Sequence, residues 1–207
     1  MDTATKFISS GNDRLDAQLK FSAEIDKMTS ILRRTLLIDG SRRENDAEHS
    51  WHIAVMALLF EEYAAEKVNI LHAVEMLTVH DLVEIYAGDT FAYDTTGNAT
   101  KAERENQAAD RLFSMLPTEQ GSHIRGLWEE FDSGKTPDAK YANCLDRIQP
   151  FFHNMLTAGH TWRNSGYTTT AAMVKKRMAT VAEFMPEVYS WMEKNLDFAV
   201  KNNWLPE

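Results

Sequence analysis

A chain of 207 residues is long enough to bury one sizeable core. Its net charge of −9 argues against a duplex-binding role, which needs clustered Lys and Arg, but leaves room for a small anionic ligand. With 43% hydrophobic residues, 26% charged residues, only 9 Gly and 5 Pro, and no apolar run near the roughly 20 residues of a membrane span, the composition favours a soluble helical protein. The single cysteine, Cys144, has no internal disulfide partner, and the opening MDTATKFISS lacks the basic and apolar regions of a secretory leader. A cytoplasmic protein is expected.

In chain order, apolar residues recur at Leu15, Leu19, Ile25, Met28, Ile31 and Leu32, which predicts an amphipathic helix over 13–32. Residues 33–38 then extend towards the turn at Asp39-Gly40-Ser41. Asn45 and Asp46 are N-cap candidates for a helix over 47–66, and Asn69 for one running through Leu71, Val74, Leu77 and Val79 to His80. Residues 90–99, polar with scattered aromatics and Gly97, read as a loop. Helices follow from Lys101 to near Pro117, from Thr118 to Ser133, and from Pro137 through Leu156, where Pro150 is expected to kink or divide the last. A connection over 159–169 carries Trp162-Arg163, and two helices, 170–185 and 186–203, finish the chain. With no repeat and no alternating strand of useful length, the pattern predicts a single all-α domain over 1–207 of about eight to ten helices.

The densest chemistry lies in residues 76–89, MLTVHDLVEIYAGD. An apolar approach leads to His80, Asp81, Glu84 and Asp89 within about three turns. Burying ionisable groups beside a core costs several kcal/mol unless a metal, an ion partner or hydrogen bonds compensate. Two further candidates sit on other apolar helices: His49, in EHSWHIAVM, and Asp146, in CLDRIQ. Two imidazoles and two carboxylates make a mixed N/O set that suits one Mn, Fe, Co, Ni or Zn ion, and suits Mg or Ca less. His52 shares a helix face with His49 at i, i+3 and is the competing ligand on spacing alone. His72, His123, His153 and His160 have no comparable context.

Taken together, His49, His80-Asp81 and Asp146 resemble the H…HD…D signature of the HD-domain metal-dependent phosphohydrolases. The finer likeness is to the branch of 5′-deoxynucleotidases and the HD-domain-containing protein 2 group. There an Arg-Thr-Glu-Asn-like run and an acidic residue precede the first histidine; here the run is Arg42-Arg43-Glu44-Asn45-Asp46-Ala47-Glu48-His49. The second motif, HDxxExxxGD, is matched at every fixed position by residues 80–89. The specific motifs span residues 34–163, and Trp162-Arg163 also resembles this branch.

The resemblance implies an HD-type helical bundle and a divalent metal held by His49, His80, Asp81 and Asp146. The position of His52 varies in the family, so His49 inherits the ligand role. Glu84 matches the carboxylate that handles the nucleophilic water or its proton. Asp89 is implied to bind a sugar hydroxyl, assist proton transfer or cap the next segment. Arg34 falls where the deoxynucleotidases place a phosphate-binding arginine; Arg42 is a second phosphate candidate or, equally, a salt-bridge partner of the Glu44 or Glu48 region. Thr35 stands where those enzymes have a tryptophan near the sugar, a departure that bears on deoxyribose selectivity. The Phe91–Tyr93 segment is a candidate base-stacking surface. The implied activity is phosphomonoester hydrolysis of (deoxy)nucleoside 5′-monophosphates, with a small-molecule nucleotide as partner, no nucleic-acid polymer, no membrane, and a homodimer. Phosphodiesterase or guanosine-polyphosphate hydrolase chemistry is the alternative within the same signature, although a single HD pair favours monoester chemistry. A non-catalytic nucleotide sensor is the alternative outside it, opposed by Glu84 and Asp89.

Overall fold

The computed structural model describes residues 8–207, and helices dominate them. The chain opens with α1 (Asp13–Ile25), whose cap Asn12 accepts from the amides of Arg14 and Leu15. A 3₁₀ segment, Asp26–Ser30, ends this helix earlier than its apolar spacing predicts, because the chain then becomes β1 (Leu32–Leu36). This strand pairs antiparallel with β2 (Arg43–Asn45), Leu32 opposite Asn45 and Leu36 opposite Arg43. Three residues of β1, Arg33 to Thr35, therefore face the single residue Glu44 of β2, a bulge that bends the strand and re-aims its side chains. The side chain of Arg43 donates to the carbonyl oxygens of Leu32 and Arg33 within the bulge.

Asn45 caps α2 (Asp46–Ala57) in a capping box, its side chain accepting from the Glu48 amide while Glu48 accepts from the Asn45 amide. The expected continuation to residue 66 is absent. Tyr141 donates its hydroxyl to the Ala57 carbonyl, and the Ala65 amide donates to Phe184, so tertiary contacts draw the chain away from the helix axis. Asn69 caps α3 (Ile70–Val79), as its position predicts, and a turn leads to the single turn of α4 (Glu84–Ala87). Gly88 follows with φ +76° and ψ 149°, a conformation open to glycine, and reverses the chain before Asp89.

Within the expected 90–99 loop the chain forms α5 (Thr95–Ala99), capped by Asp94. The helices α6 (Lys101–Phe113) and α7 (Thr118–Ser133) follow, the latter closed by Gly134 in the left-handed region. Next comes α8 (Pro137–Leu156), which is not divided at Pro150. Tyr141, Leu145, Ile148 and Phe151 are buried on both sides of the proline, and their packing outweighs the ~3 kcal/mol that an interior proline costs. The 159–169 connection contains α9 (His160–Asn164). The predicted 170–185 helix breaks at Met178 into α10 (Ala171–Arg177) and α11 (Ala179–Phe184), and α12 (Pro186–Lys201) ends the fold.

Among the described residues two apolar clusters result. The larger gathers α2, α3, α8, α11 and α12 around Ile53, Met76, Tyr141, Leu145, Phe184 and Met192. The smaller gathers Phe21 of α1, Leu82 and Val83, and Leu112 and Phe113 of α6 with Trp128 of α7. Val79 packs against both, so the end of α3 emerges at their seam. Among the described residues no helix is long and apolar enough to cross a membrane.

Candidate metal centre

His80 caps the C-terminus of α3, where the last carbonyls of a helix lack intrahelical partners. It uses one of them: Nδ1–H donates to the Leu77 carbonyl at 2.9 Å, which leaves the Nε2 lone pair free to face the cleft. Nε2 lies 3.0 Å from Asp81 Oδ2 and 4.0 Å from Asp146 Oδ1. From α2, the fully buried His49 brings its own Nε2 to 3.2 Å from the same Asp146 oxygen. Ligand atoms of His49, His80 and Asp81 all lie within 4.8 Å of one another. Spacings of 3–4 Å are those of neighbouring ligands around one ion with bonds of ~2.1 Å. Buried atoms with no well-formed hydrogen bond crowd the same place: His80 Nε2, Glu84 Oε2, Glu44 Oε2 and both carboxylate oxygens of Asp46. The residues present therefore fit a divalent cation, and their mixed N/O chemistry fits a transition metal best.

The electrostatics follow from burial. His49 is pushed down to about 4 by burial and by the nearby Arg33 guanidinium, so it is neutral. Burial raises Asp146, but the His49 contact and the positive charge of Arg177, 3.6 Å from Oδ2, hold it well below the usual carboxylate range. Asp81 is likewise held low, with His80 and Arg33 overcoming its burial. Glu84 moves the opposite way: burial, reinforced by Asp81, Asp46 and Asp89, holds it well above its ordinary value. Asp89, at the cleft, is raised by burial. Glu44 and Asp46 are each pushed up to about 7, again by burial first.

The bulge in β1 brings Arg33, Arg34 and Thr35 all to the cleft wall. Arg33, which sequence reading passed over for Arg34, enters the carboxylate group itself: Nη1 is 2.8 Å from Asp81 Oδ2 and 3.5 Å from Asp46 Oδ1. Arg34 stays exposed, its guanidinium 5.8 Å from the Tyr167 ring. Thr35 is buried in the wall. Phe91 and Tyr93 also line the cleft, their rings edge to face at 5.3 Å, with Lys101, Asn154, Trp162 and Arg177 around them. The structure does not bring Arg42 to the cleft. Its guanidinium donates to Glu48 at 2.9 Å, one turn from the start of α2 and on the protein surface.

His52 points away from the His49–His80 group and meets His153, their ring centroids 5.4 Å apart, with Glu44 beside them. Sequence reading missed Arg33, Glu44, Asp46, Gln149 and His153. Helical spacing carried part of the signal, since Asp46 is three residues before His49 and Gln149 three after Asp146.

The HD domain family pattern matches residues 25–189. A solved structure from Magnetospirillum magnetotacticum MS-1, described as a predicted metal-dependent phosphohydrolase, is 46% identical. It superposes with a TM-score of 0.89, over 97% of this chain and 100% of that one. An HD-domain phosphohydrolase from Listeria innocua shares the fold at a TM-score of 0.65 and 16% identity, over 91% of this chain and 92% of that one. Among curated proteins, the 5′-deoxynucleotidase HDDC2 of Xenopus laevis is 30% identical over 106 residues, 51% of each chain. The human protein of that name is 28% identical over 108 residues, 52% of each chain. The chain spans about half the length of these curated relatives.

Proposed function

The chain belongs to the HD domain family, and from that membership we propose that it is a single-domain metal-dependent phosphomonoesterase acting on (deoxy)nucleoside 5′-monophosphates. The observation that carries this reading is the convergence of His49, His80, Asp81 and Asp146 on one cleft, beside the buried carboxylate of Glu84, whose Oε2 has no hydrogen-bond partner. Those four residues would hold one divalent cation, Mn, Co, Fe, Ni or Zn before Mg. When bound, such an ion polarises a phosphoryl oxygen and lowers the pKa of a coordinated water towards ~7.

Glu84, buried at the cleft with Oε2 lacking a hydrogen-bond partner, is suited to take a proton from the attacking water. Asp89, which lines the cleft beyond the Gly88 reversal, would meet a sugar hydroxyl or share that proton. Arg34, exposed at the rim, supplies positive charge for the phosphate, and Thr35 contributes to the wall that bounds the sugar. Phe91 and Tyr93 offer aromatic faces for the base. The same reading includes a cytoplasmic location and a homodimer, to which the exposed Trp191 and Phe198 of α12 would add apolar surface.

A phosphate-release panel over ribo- and deoxyribonucleoside 5′-monophosphates, with Mn, Co and Mg compared, tests the proposal. Metal-dependent release from at least one monoester is expected. Nucleotide binding with no release from any monoester would instead favour a sensor, and hydrolysis of a cyclic nucleotide or a guanosine polyphosphate in parallel product assays, with none of any monoester, would favour the diesterase or guanosine-polyphosphate reading.

A further inference from the structure

Behind the metal-facing side of His49 lies a chain of hydrogen bonds whose direction is fixed at its far end. The Leu36 carbonyl, on β1, can only accept. It lies 2.8 Å from His153 Nδ1, so that nitrogen carries the proton and Nε2 of the same ring is an acceptor. His153 Nε2 is 3.1 Å from Gln149 Nε2, and Glu44 Oε1 lies 2.5 Å from the same nitrogen, with His52 Nδ1 at 3.3 Å. Two acceptors, His153 Nε2 and Glu44 Oε1, take the two hydrogens of one amide nitrogen and determine which end of the Gln149 amide is which: its NH₂ faces them, and its carbonyl faces the opposite way. That carbonyl meets His49 Nδ1 at 3.1 Å. His49 must then carry its proton on Nδ1, and its Nε2 lone pair faces Asp146, His80 and the cleft.

We infer that Gln149 is the positioning residue of the metal centre, its amide oriented by His153 and Glu44 so that His49 is locked in the one tautomer able to ligate through Nε2. This inference rests on the metal site proposed above. Glu44, His52 and His153 have ligand atoms within 4.8 Å of one another. The Gln149 NH₂ sits at that group and donates to Glu44 and His153. All of Gln149, Glu44 and His153 are buried, so no water competes for these bonds. His80 reaches the same tautomer through the Leu77 carbonyl, a bond set by its own helix. Only His49 depends on a distant side chain.

The test measures Mn or Co affinity of metal-free protein by competition with a chelating dye, alongside ¹⁵N spectra of its histidines. Gln149→Met, which keeps the volume and removes the acceptor, is expected to weaken metal binding about 10- to 100-fold and to mix the His49 tautomers. Gln149→Glu keeps an acceptor for His49 Nδ1–H but loses the donor to Glu44 and His153, and is expected to weaken metal binding less than Gln149→Met does. His153→Phe, which touches no proposed ligand, should give an intermediate loss, and adding it to Gln149→Met should cost nothing more. Unchanged affinity in Gln149→Met overturns the inference, as does a loss in Gln149→Glu as large as in Gln149→Met. If Gln149→Met does not fold, unchanged affinity in His153→Phe overturns it in the same way. A wild type that shows this dependence but releases no phosphate sinks the enzymatic reading and leaves the relay intact. A wild type that hydrolyses nucleotides while these variants bind metal normally does the reverse.

Discussion

At the scale of single residues, one substitution separates metal binding from chemistry. Glu84 is buried, has an unpartnered oxygen and is held above its ordinary pKa, yet the four proposed ligands are other side chains. Glu84→Gln is therefore expected to retain stoichiometric metal, read by elemental analysis, while kcat falls about 10²- to 10⁴-fold. Full turnover in that variant would remove Glu84 from the mechanism. The metal-type residues were legible in the sequence because His-Asp pairs and isolated carboxylates are conspicuous on apolar helices. Arg33 was not. Two adjacent arginines in a regular strand point to opposite faces, and nothing in the sequence announces the bulge that turns both towards the cleft. His153 was likewise read as unremarkable, because its role is defined by a carbonyl 117 residues earlier in the chain.

At the scale of elements, local signals held where the ends of a helix are settled locally. Asn45 and Asn69 were readable as caps and are caps, and Pro137 and Gly134 mark a start and an end. The capping box at Asn45 has a measurable weight. Asn45→Ala is expected to lower stability by ~1 kcal/mol, seen as a lower urea midpoint at unchanged slope. Because His49 sits on the first turn of α2, the same variant should also weaken metal binding. A variant as stable as the wild type would show that β2, not the cap, fixes the start of the helix. Sequence reading failed where a distant group decides. The end of α2 depends on Tyr141, and α8 survives Pro150 because Tyr141, Leu145, Ile148 and Phe151 anchor both halves in the core.

At the scale of the whole molecule, the buried carboxyls make metal-free stability depend on pH with a definite sign. Glu44 and Asp46 titrate near 7 in the folded protein against ordinary values of 4.5 and 3.8, so between about pH 4 and 7 the folded state binds more protons than the unfolded. Stability contributed by those protons is lost as pH rises through this window. Asp81 and Asp146, held low, act oppositely, their contribution lost only as pH falls below the ordinary carboxylate range. His49, pushed down to about 4 against an ordinary 6.5, also opposes Glu44 and Asp46, its contribution lost as pH falls below about 6.5. Glu44, Asp46 and the likewise raised Glu84 outnumber it, so metal-free protein should melt at a lower temperature at pH 7.5 than at pH 5.5. Added Mn should narrow or reverse the difference, since the ion favours the ionised carboxylates. A higher melting temperature at pH 7.5 without metal would contradict it. The all-α class and the candidate residues that meet at the cleft could be read from the sequence; the two apolar clusters could not, because their division depends on which faces meet.

That division has one more consequence. His49 and Asp146 ride on helices of the larger cluster, whereas α6, which brings Lys101 to the opposite side of the cleft, is rooted in the smaller one through Ala108, Ala109, Leu112 and Phe113. The two walls of the cleft are built on separate foundations. A change that tilts α6 can therefore move the Lys101 side of the cleft while His49 and Asp146 keep their places. Selectivity in such a protein can drift without its chemistry having to be rebuilt.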